Sequence, residues 1–212
     1  MLKAVIFDMD GVIIDSEPLH TQVVIEVLAE QGIAMTSEKL VKYIGTSNRP
    51  MWEELRAEFG IPVDVDDLVK RQHDANLEHL RTFSDLLIPG VLDLIQDLHH
   101  RRIPLAVASS SGRDYIEAVL LKYRLTEFFP VVVSGAEVPR GKPEPDIFLS
   151  AALQLGVPAV NCTVIEDSRH GVTAGRAAGM RVIGFQNPHS GNQDLSHAQH
   201  IADSMPAVAA LL

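Results

Sequence analysis

Apolar residues run almost unbroken through Leu2-Lys3-Ala4-Val5-Ile6-Phe7 and stop at Asp8-Met9-Asp10-Gly11. A short apolar run bounded by turn residues predicts a strand buried on both faces, and the glycine permits a tight turn at its end. The period then changes. Leu19, Val23, Val27 and Leu28 recur at helical spacing over 17–31, with Gly32 placed to close that helix. Helical patterns follow over about 37–43, 50–59 and 64–83, with no strand pattern between them. Pro89-Gly90 interrupts, and beyond it two kinds of element alternate. Helices are predicted over 91–101, 112–123, 145–156 and 169–179, and strands over Ile103–Ala108, Val131–Val133, Thr163–Ile165 and Arg181–Phe185. The stretch Gln186–His200 is polar and irregular and reads as a loop.

Strands alternating with helices predict an α/β fold, a Rossmann-like parallel sheet core with helices on both faces. The core takes residues 1–15 and 85–212, and residues 16–84 form an inserted α-helical cap. Segments near Ser16 and near Ser84–Pro89 are the expected hinges of a closing lid. Trp52 and Phe59 are expected in the cap core, and Gly171, Ala174, Gly175, Ala178 and Gly179 are expected to allow close helix–sheet packing. A 46% hydrophobic composition fits a globular protein with a sizeable aliphatic core. Met1–Phe7 is too short for a signal peptide and Val208–Leu212 too short for a bilayer span, so no membrane partner is expected. A net charge of −10 speaks against nucleic acid, which needs a cationic footprint. The single cysteine, Cys162, makes neither an internal disulfide nor a Cys-rich zinc site, which suits a cytoplasmic location.

In open parallel sheets ligands bind beyond the carboxyl ends of the strands, and here those ends are polar. The first strand ends in Asp8-x-Asp10-Gly11, the second in Ser109-Ser110-Ser111-Gly112. Gly141-Lys142-Pro143-Glu144-Pro145 fixes a lysine between prolines, with Lys142-Pro143 a candidate cis peptide. Glu166-Asp167-Ser168 follows another strand directly. Taken singly, each is also a turn, a helix cap or a solvated charge. Together they supply a nucleophile, a proton-transfer group, hydroxyl and amide donors for an anion, a lysine to balance phosphate charge, and oxygen ligands for a hard cation. That set is what phosphoryl transfer to a carboxylate needs.

Phe7-Asp8-Met9-Asp10-Gly11-Val12, Ala108-Ser109-Ser110-Ser111, Gly141-Lys142-Pro143-Glu144-Pro145-Asp146 and Ile165-Glu166-Asp167-Ser168 resemble, in order and spacing, the motifs of the haloacid dehalogenase superfamily. The helical cap after the first strand is similar to the subgroup of β-phosphoglucomutase and the small sugar-phosphate phosphatases. The resemblance implies that Asp8 attacks phosphorus and becomes an aspartyl-phosphate, and that Asp10 protonates the leaving oxygen and then activates the acceptor. It implies that Asp8, the Asp10 carbonyl and Asp167 bind Mg2+ with Glu166 close by, and that Ser109, Ser110 and Lys142 hold the phosphoryl oxygens. Asp10 argues against dehalogenation, in which the second motif aspartate is absent and no metal is needed.

Water or a sugar hydroxyl is then the acceptor, and the cap decides which. The mutase carries a lysine directly before a Gly-x-Ser-Arg run. This chain has Ile44-Gly45-Thr46-Ser47-Asn48-Arg49, with isoleucine for the lysine and the arginine one residue later. His20, in Glu17-Pro18-Leu19-His20, does match a mutase position. Gly45, Ser47, Arg49, His20 and Ser111 are therefore candidate substrate contacts, and the pattern favours a Mg2+-dependent phosphatase of a small phosphorylated metabolite, as a monomer or small homo-oligomer. The alternatives are a hexose-phosphate mutase, a phosphonate hydrolase using Lys39, Lys42 or Lys70 as a Schiff base, and a binding protein that has lost catalysis. His189, His197 and His200 are weighed as metal ligands, His197 and His200 being three apart on one helix face, and are expected to be solvated instead.

Overall fold

The computed structural model describes residues 3–44, 48–83 and 86–212. Gly45, Ser47 and Ser84, on which expectations fall, lie outside the described residues. The chain divides into two compact units, one of residues 1–15 with 85–212 and one of residues 16–84.

Among the described residues the first unit holds six parallel strands: β1 Ala4–Phe7, β2 Leu105–Ser109, β3 Val131–Ser134, β4 Cys162–Glu166, β5 Arg181–Phe185 and β6 His200–Ala202, in the order β3-β2-β1-β4-β5-β6. Every residue of β1, β2 and β4 is buried, which explains why they read as apolar runs without alternation. Helices α5 Val91–His100, α6 Arg113–Lys122, α7 Asp146–Leu155, α8 Arg169–Ala177 and α9 Met205–Leu211 belong to this unit. Ala4 and Ile6 share one buried cluster with Ile147, Phe148 and Ala151 of α7 and Val172 and Ala174 of α8. On the other face Phe7 meets Phe129 edge to face, ring centroids 5.7 Å apart. The strand order reverses beside β1, and such a switch point opens a crevice at the carboxyl ends.

The second unit is helical: α1 Glu17–Glu30, α2 Ser37–Leu40, α3 Asn48–Phe59 and α4 Val65–Thr82, with a 3-10 turn at Val41–Tyr43. Its core gathers Val23, Val27 and Leu28 of α1 with Trp52, Leu55 and Leu68, and Trp52 Nε1 donates to Gln72 Oε1 at 2.8 Å. Phe59 is 39% exposed and lies outside that core: it is the last residue of α3, whose buried residues are Met51, Trp52 and Leu55.

Four further details differ from the sequence reading. The predicted 37–43 helix is one short α-helix followed by the 3-10 turn. The stretch read as loop ends in β6, and α9 follows it; both are too short to carry a readable period. His197 and His200 share no helix, since His200 opens β6, and both are exposed. Gly179 packs against nothing and has φ 72°, so it ends α8 rather than admitting a neighbour. Among the described residues no helix is long and apolar enough to cross a membrane.

Candidate active site

Register brings the strand ends together. Phe7 pairs with Ile165 of β4 and with Val107 of β2, so Asp8 lies beside Glu166 with a strand spacing of about 4.8 Å between backbones. After Asp8 the chain turns on Gly11 at φ 80°, a conformation open to glycine. A Cβ there would run into the Asp167 carboxylate and Ser190 Oγ, so both the backbone angle and the space require glycine.

Asp8, Glu166 and Asp167 are all buried and present oxygens within 4.8 Å of one another. Lys142 reaches this group from the loop before α7, and the Lys142–Pro143 peptide that follows it is cis. Its Nζ donates to Asp8 Oδ1 at 2.6 Å and to Glu166 Oε1 at 2.7 Å, and its side chain is 6% exposed. The other Glu166 oxygen, Oε2, accepts from the Ser168 amide at 2.7 Å and the Ser168 hydroxyl at 2.9 Å. Ser168 in turn N-caps α8, its Oγ accepting from the Gly171 amide at 3.0 Å. The cap is thus Ser168, and the two acids before it are left for the cluster. Gly171 gives the Glu166 carboxylate its room, since a Cβ would occupy the same space.

Asp10 is turned toward β2. Its Oδ2 accepts from Ser109 Oγ at 3.1 Å and Ser111 Oγ at 2.7 Å. Ser109 Oγ also accepts from the Ser111 amide at 3.1 Å. Gly112, with no side-chain cap, starts α6, so these serines are not its N-cap. Ser134 Oγ donates to the Ser111 carbonyl at 2.6 Å, and Gly135 packs closely under Ser110, which is exposed.

The charges do not balance. Among the described residues, three buried carboxylates face one ammonium. Burial pushes the Asp8 carboxyl from the ordinary range up to about 8; the Lys142 ammonium opposes this, and the Glu166 and Asp10 charges add to it. Asp167 is also held well above the usual carboxylate range, by burial and then by the charges of Glu166 and Asp8, against a hydrogen bond from Ser190. For Lys142, burial pulls the other way, but the Asp8 and Glu166 charges outweigh it and raise its pKa. All-oxygen donors with excess negative charge in a buried place suit a hard divalent cation.

The helical unit carries most of the remaining candidates. His20 is half-buried on α1. Arg49, on α3, is exposed and pairs with Asp66. Lys42 and Lys70 are exposed and paired, with Glu54 at 2.6 Å and Asp74 at 2.5 Å. His189 pairs with Asp15 and is not in the acidic cluster. Sequence reasoning missed Asn187 and Ser190: Asn187 Nδ2 donates to the Gly11 carbonyl at 3.1 Å, and Ser190 Oγ donates to Asp167 Oδ2. Only their position just after a strand end hinted at them.

A family model described as haloacid dehalogenase-like hydrolase matches residues 5–185. The "Probable pseudouridine-5'-phosphatase" of Drosophila melanogaster is 34% identical over 206 residues, covering 94% of this chain and 88% of the relative. The "Phosphorylated carbohydrates phosphatase" of Thermotoga maritima is 33% identical over 204 residues, covering 95% of this chain and 93% of the relative. Among solved structures, CbbY from Rhodobacter sphaeroides in complex with phosphate superposes with a TM-score of 0.85 at 26% identity, covering 96% of this chain and 95% of that one. The chain belongs to the haloacid dehalogenase-like hydrolase family, as a phosphoryl-transfer enzyme.

Proposed function

We propose that the chain is a magnesium-dependent phosphatase of small phosphorylated metabolites, sugar phosphates first among them, acting through an aspartyl-phosphate on Asp8. One observation carries the reading: Asp8, at the switch point of the sheet, shares a buried cluster with Glu166, Asp167 and Lys142.

Asp8 and Asp167, with the Asp10 carbonyl, would hold the cation, while both Glu166 oxygens serve Lys142 and Ser168. Bound there, magnesium supplies charge neutralisation of the phosphoryl oxygens. Asp8 attacks phosphorus, the ester P–O bond breaks, and the leaving oxygen takes the proton of Asp10. A water then attacks the phosphorus, gives its proton to Asp10, and releases inorganic phosphate with Asp8 restored. Lys142 offsets charge on the transferring group, and the Ser109–Ser111 turn offers donors to its oxygens while holding Asp10 in orientation.

Relatives named as phosphatases of phosphorylated carbohydrates and of pseudouridine 5'-phosphate support the substrate class. Ile44 in place of the mutase lysine, and Arg49 engaged with Asp66, support water as the acceptor.

A panel of phosphorylated metabolites, assayed for free phosphate with and without Mg2+, tests the reading. Release is expected only with the metal, and Asp8→Asn should abolish it. Undiminished turnover by that variant removes Asp8 as nucleophile. Conversion of a hexose 1-phosphate to the 6-phosphate, without free phosphate, replaces the phosphatase with a mutase.

A further inference from the structure

We infer that the loop after β5 is a built part of the cation site, with Ser190 and Asn187 as positioning residues that make Asp167 present a single oxygen and so favour Mg2+ over Ca2+. The inference rests on the reading of Asp8 and Asp167 as cation ligands.

Asn187 and Ser190 are each 4% exposed, and a buried polar side chain is costly without partners. Both find them around the acidic cluster. Ser190 Oγ donates to Asp167 Oδ2, and Asn187 Nδ2 donates to the carbonyl of Gly11, at 3.1 Å. The turn carrying Ser190 is built on Asn187, whose Oδ1 accepts from the His189 amide at 2.9 Å and whose carbonyl accepts from the Ser190 amide at 3.2 Å. Gln193 completes the frame. Its Nε2 donates to the Ser190 carbonyl at 3.1 Å, and its Oε1 accepts from the Arg169 amide at 3.1 Å, where α8 begins. Gly11, Asp167 and Ser190 are in such close contact that no side chain fits at position 11. One loop thereby ties the end of β1 to the end of β4.

The chemistry follows from the hydroxyl. A carboxylate oxygen that accepts a hydrogen bond is the poorer donor to a cation, so the other oxygen is favoured as the ligand. Magnesium is small and demands near-octahedral ligands, whereas calcium accepts bidentate carboxylates in flexible geometry. Holding Asp167 at Oδ2 opposes the bidentate mode.

Calorimetric titration of the metal-free protein with MgCl2 and, separately, CaCl2 tests this without reference to turnover. Ser190→Ala is expected to weaken Mg2+ binding about ten- to hundredfold, with a smaller loss for Ca2+, so that the ratio of the two affinities narrows. Ser190→Thr, which keeps the hydroxyl, should restore much of the difference, and Asn187→Ala should also weaken Mg2+. Thermal melts check that each variant folds; if Ser190→Ala loses its cooperative melt, Ser190→Cys, similar in size and a weak donor, carries the same expectation. Loss of Mg2+ binding in Asp167→Asn, with wild-type affinities and ratio in the Ser190 and Asn187 variants, overturns the inference and leaves the cation site standing. Wild-type Mg2+ binding by Asp167→Asn overturns both.

Discussion

Lys142 is the counter-charge on which the buried acids depend. Its ammonium lies 2.6 Å from Asp8 and 2.7 Å from Glu166, and neither contact is open to solvent. A lysine in water is worth little to a carboxylate, but a desolvated one that has lost its partner leaves a charge with nowhere to go. In the proposed mechanism the same ammonium offsets the phosphoryl charge at Asp8. Lys142→Met, close in length but uncharged, is expected to lower kcat by about 10²–10³-fold. It should also lower the melting temperature of the metal-free protein. Steady-state kinetics and a thermal scan check the two effects. A variant with wild-type kcat would reduce Lys142 to a structural ion pair. Ser109 and Ser111 act on Asp10 in a related way, fixing a carboxylate by two hydroxyls rather than by a charge.

At the scale of the element, α8 serves the site through what its first turn lacks. Gly171 leaves space that the Glu166 carboxylate fills, and Ser168 holds both that carboxylate and the helix start. One turn later Gly175 faces Val182 and Val164 of the sheet instead. Gly171→Ala should therefore displace Glu166 from Lys142, lowering kcat as well as stability. Gly175→Ala should cost stability alone, by about 1–3 kcal/mol for overpacking. Paired melts and kinetics separate the two; equal kcat in both variants would deny Glu166 its role in holding Lys142. The division between what the sequence showed and what it hid follows the same physics. Asp8, Ser109 and Glu166 were legible because β1, β2 and β4 are buried on both faces and end abruptly in polar residues. Asn187 and Ser190 were not. They sit in a polar stretch with no period, and the Asn187–Gly11 bond joins residues 176 positions apart. Phe59 was expected in the cap core and is exposed, since an apolar residue in a helical pattern does not say how far along the helix the covered face extends.

For the whole molecule, the fold concentrates more negative charge at one point than the metal-free protein can easily hold. That makes stability depend on pH in an unusual direction. Asp8 keeps its proton in the folded state up to about pH 8, whereas its ordinary value is 3.8. Asp167 is shifted the same way, by burial first. Between the unfolded and folded values the native state binds protons that the unfolded chain has released, so stability falls as pH rises. The acids with lowered values, Glu38, Glu54, Glu137 and Asp194, act below this range and are fully ionised within it. The raised value of Lys142 acts above it. Metal-free protein is thus expected to melt several degrees lower at pH 8 than at pH 5.5, since one proton contributes at most about 1.4 kcal/mol per pH unit. On the proposed function, magnesium would bind the ionised form and compete with those protons. Its stabilising shift should be small at pH 5.5 and grow toward pH 8, and Asp8→Asn should flatten both trends. Melting temperatures across that range, with chelator and with saturating Mg2+, read out the competition. A metal-free protein that gains stability from pH 5.5 to 8, with a Mg2+ shift independent of pH, would mean that the acidic cluster is not where the metal and the protons meet.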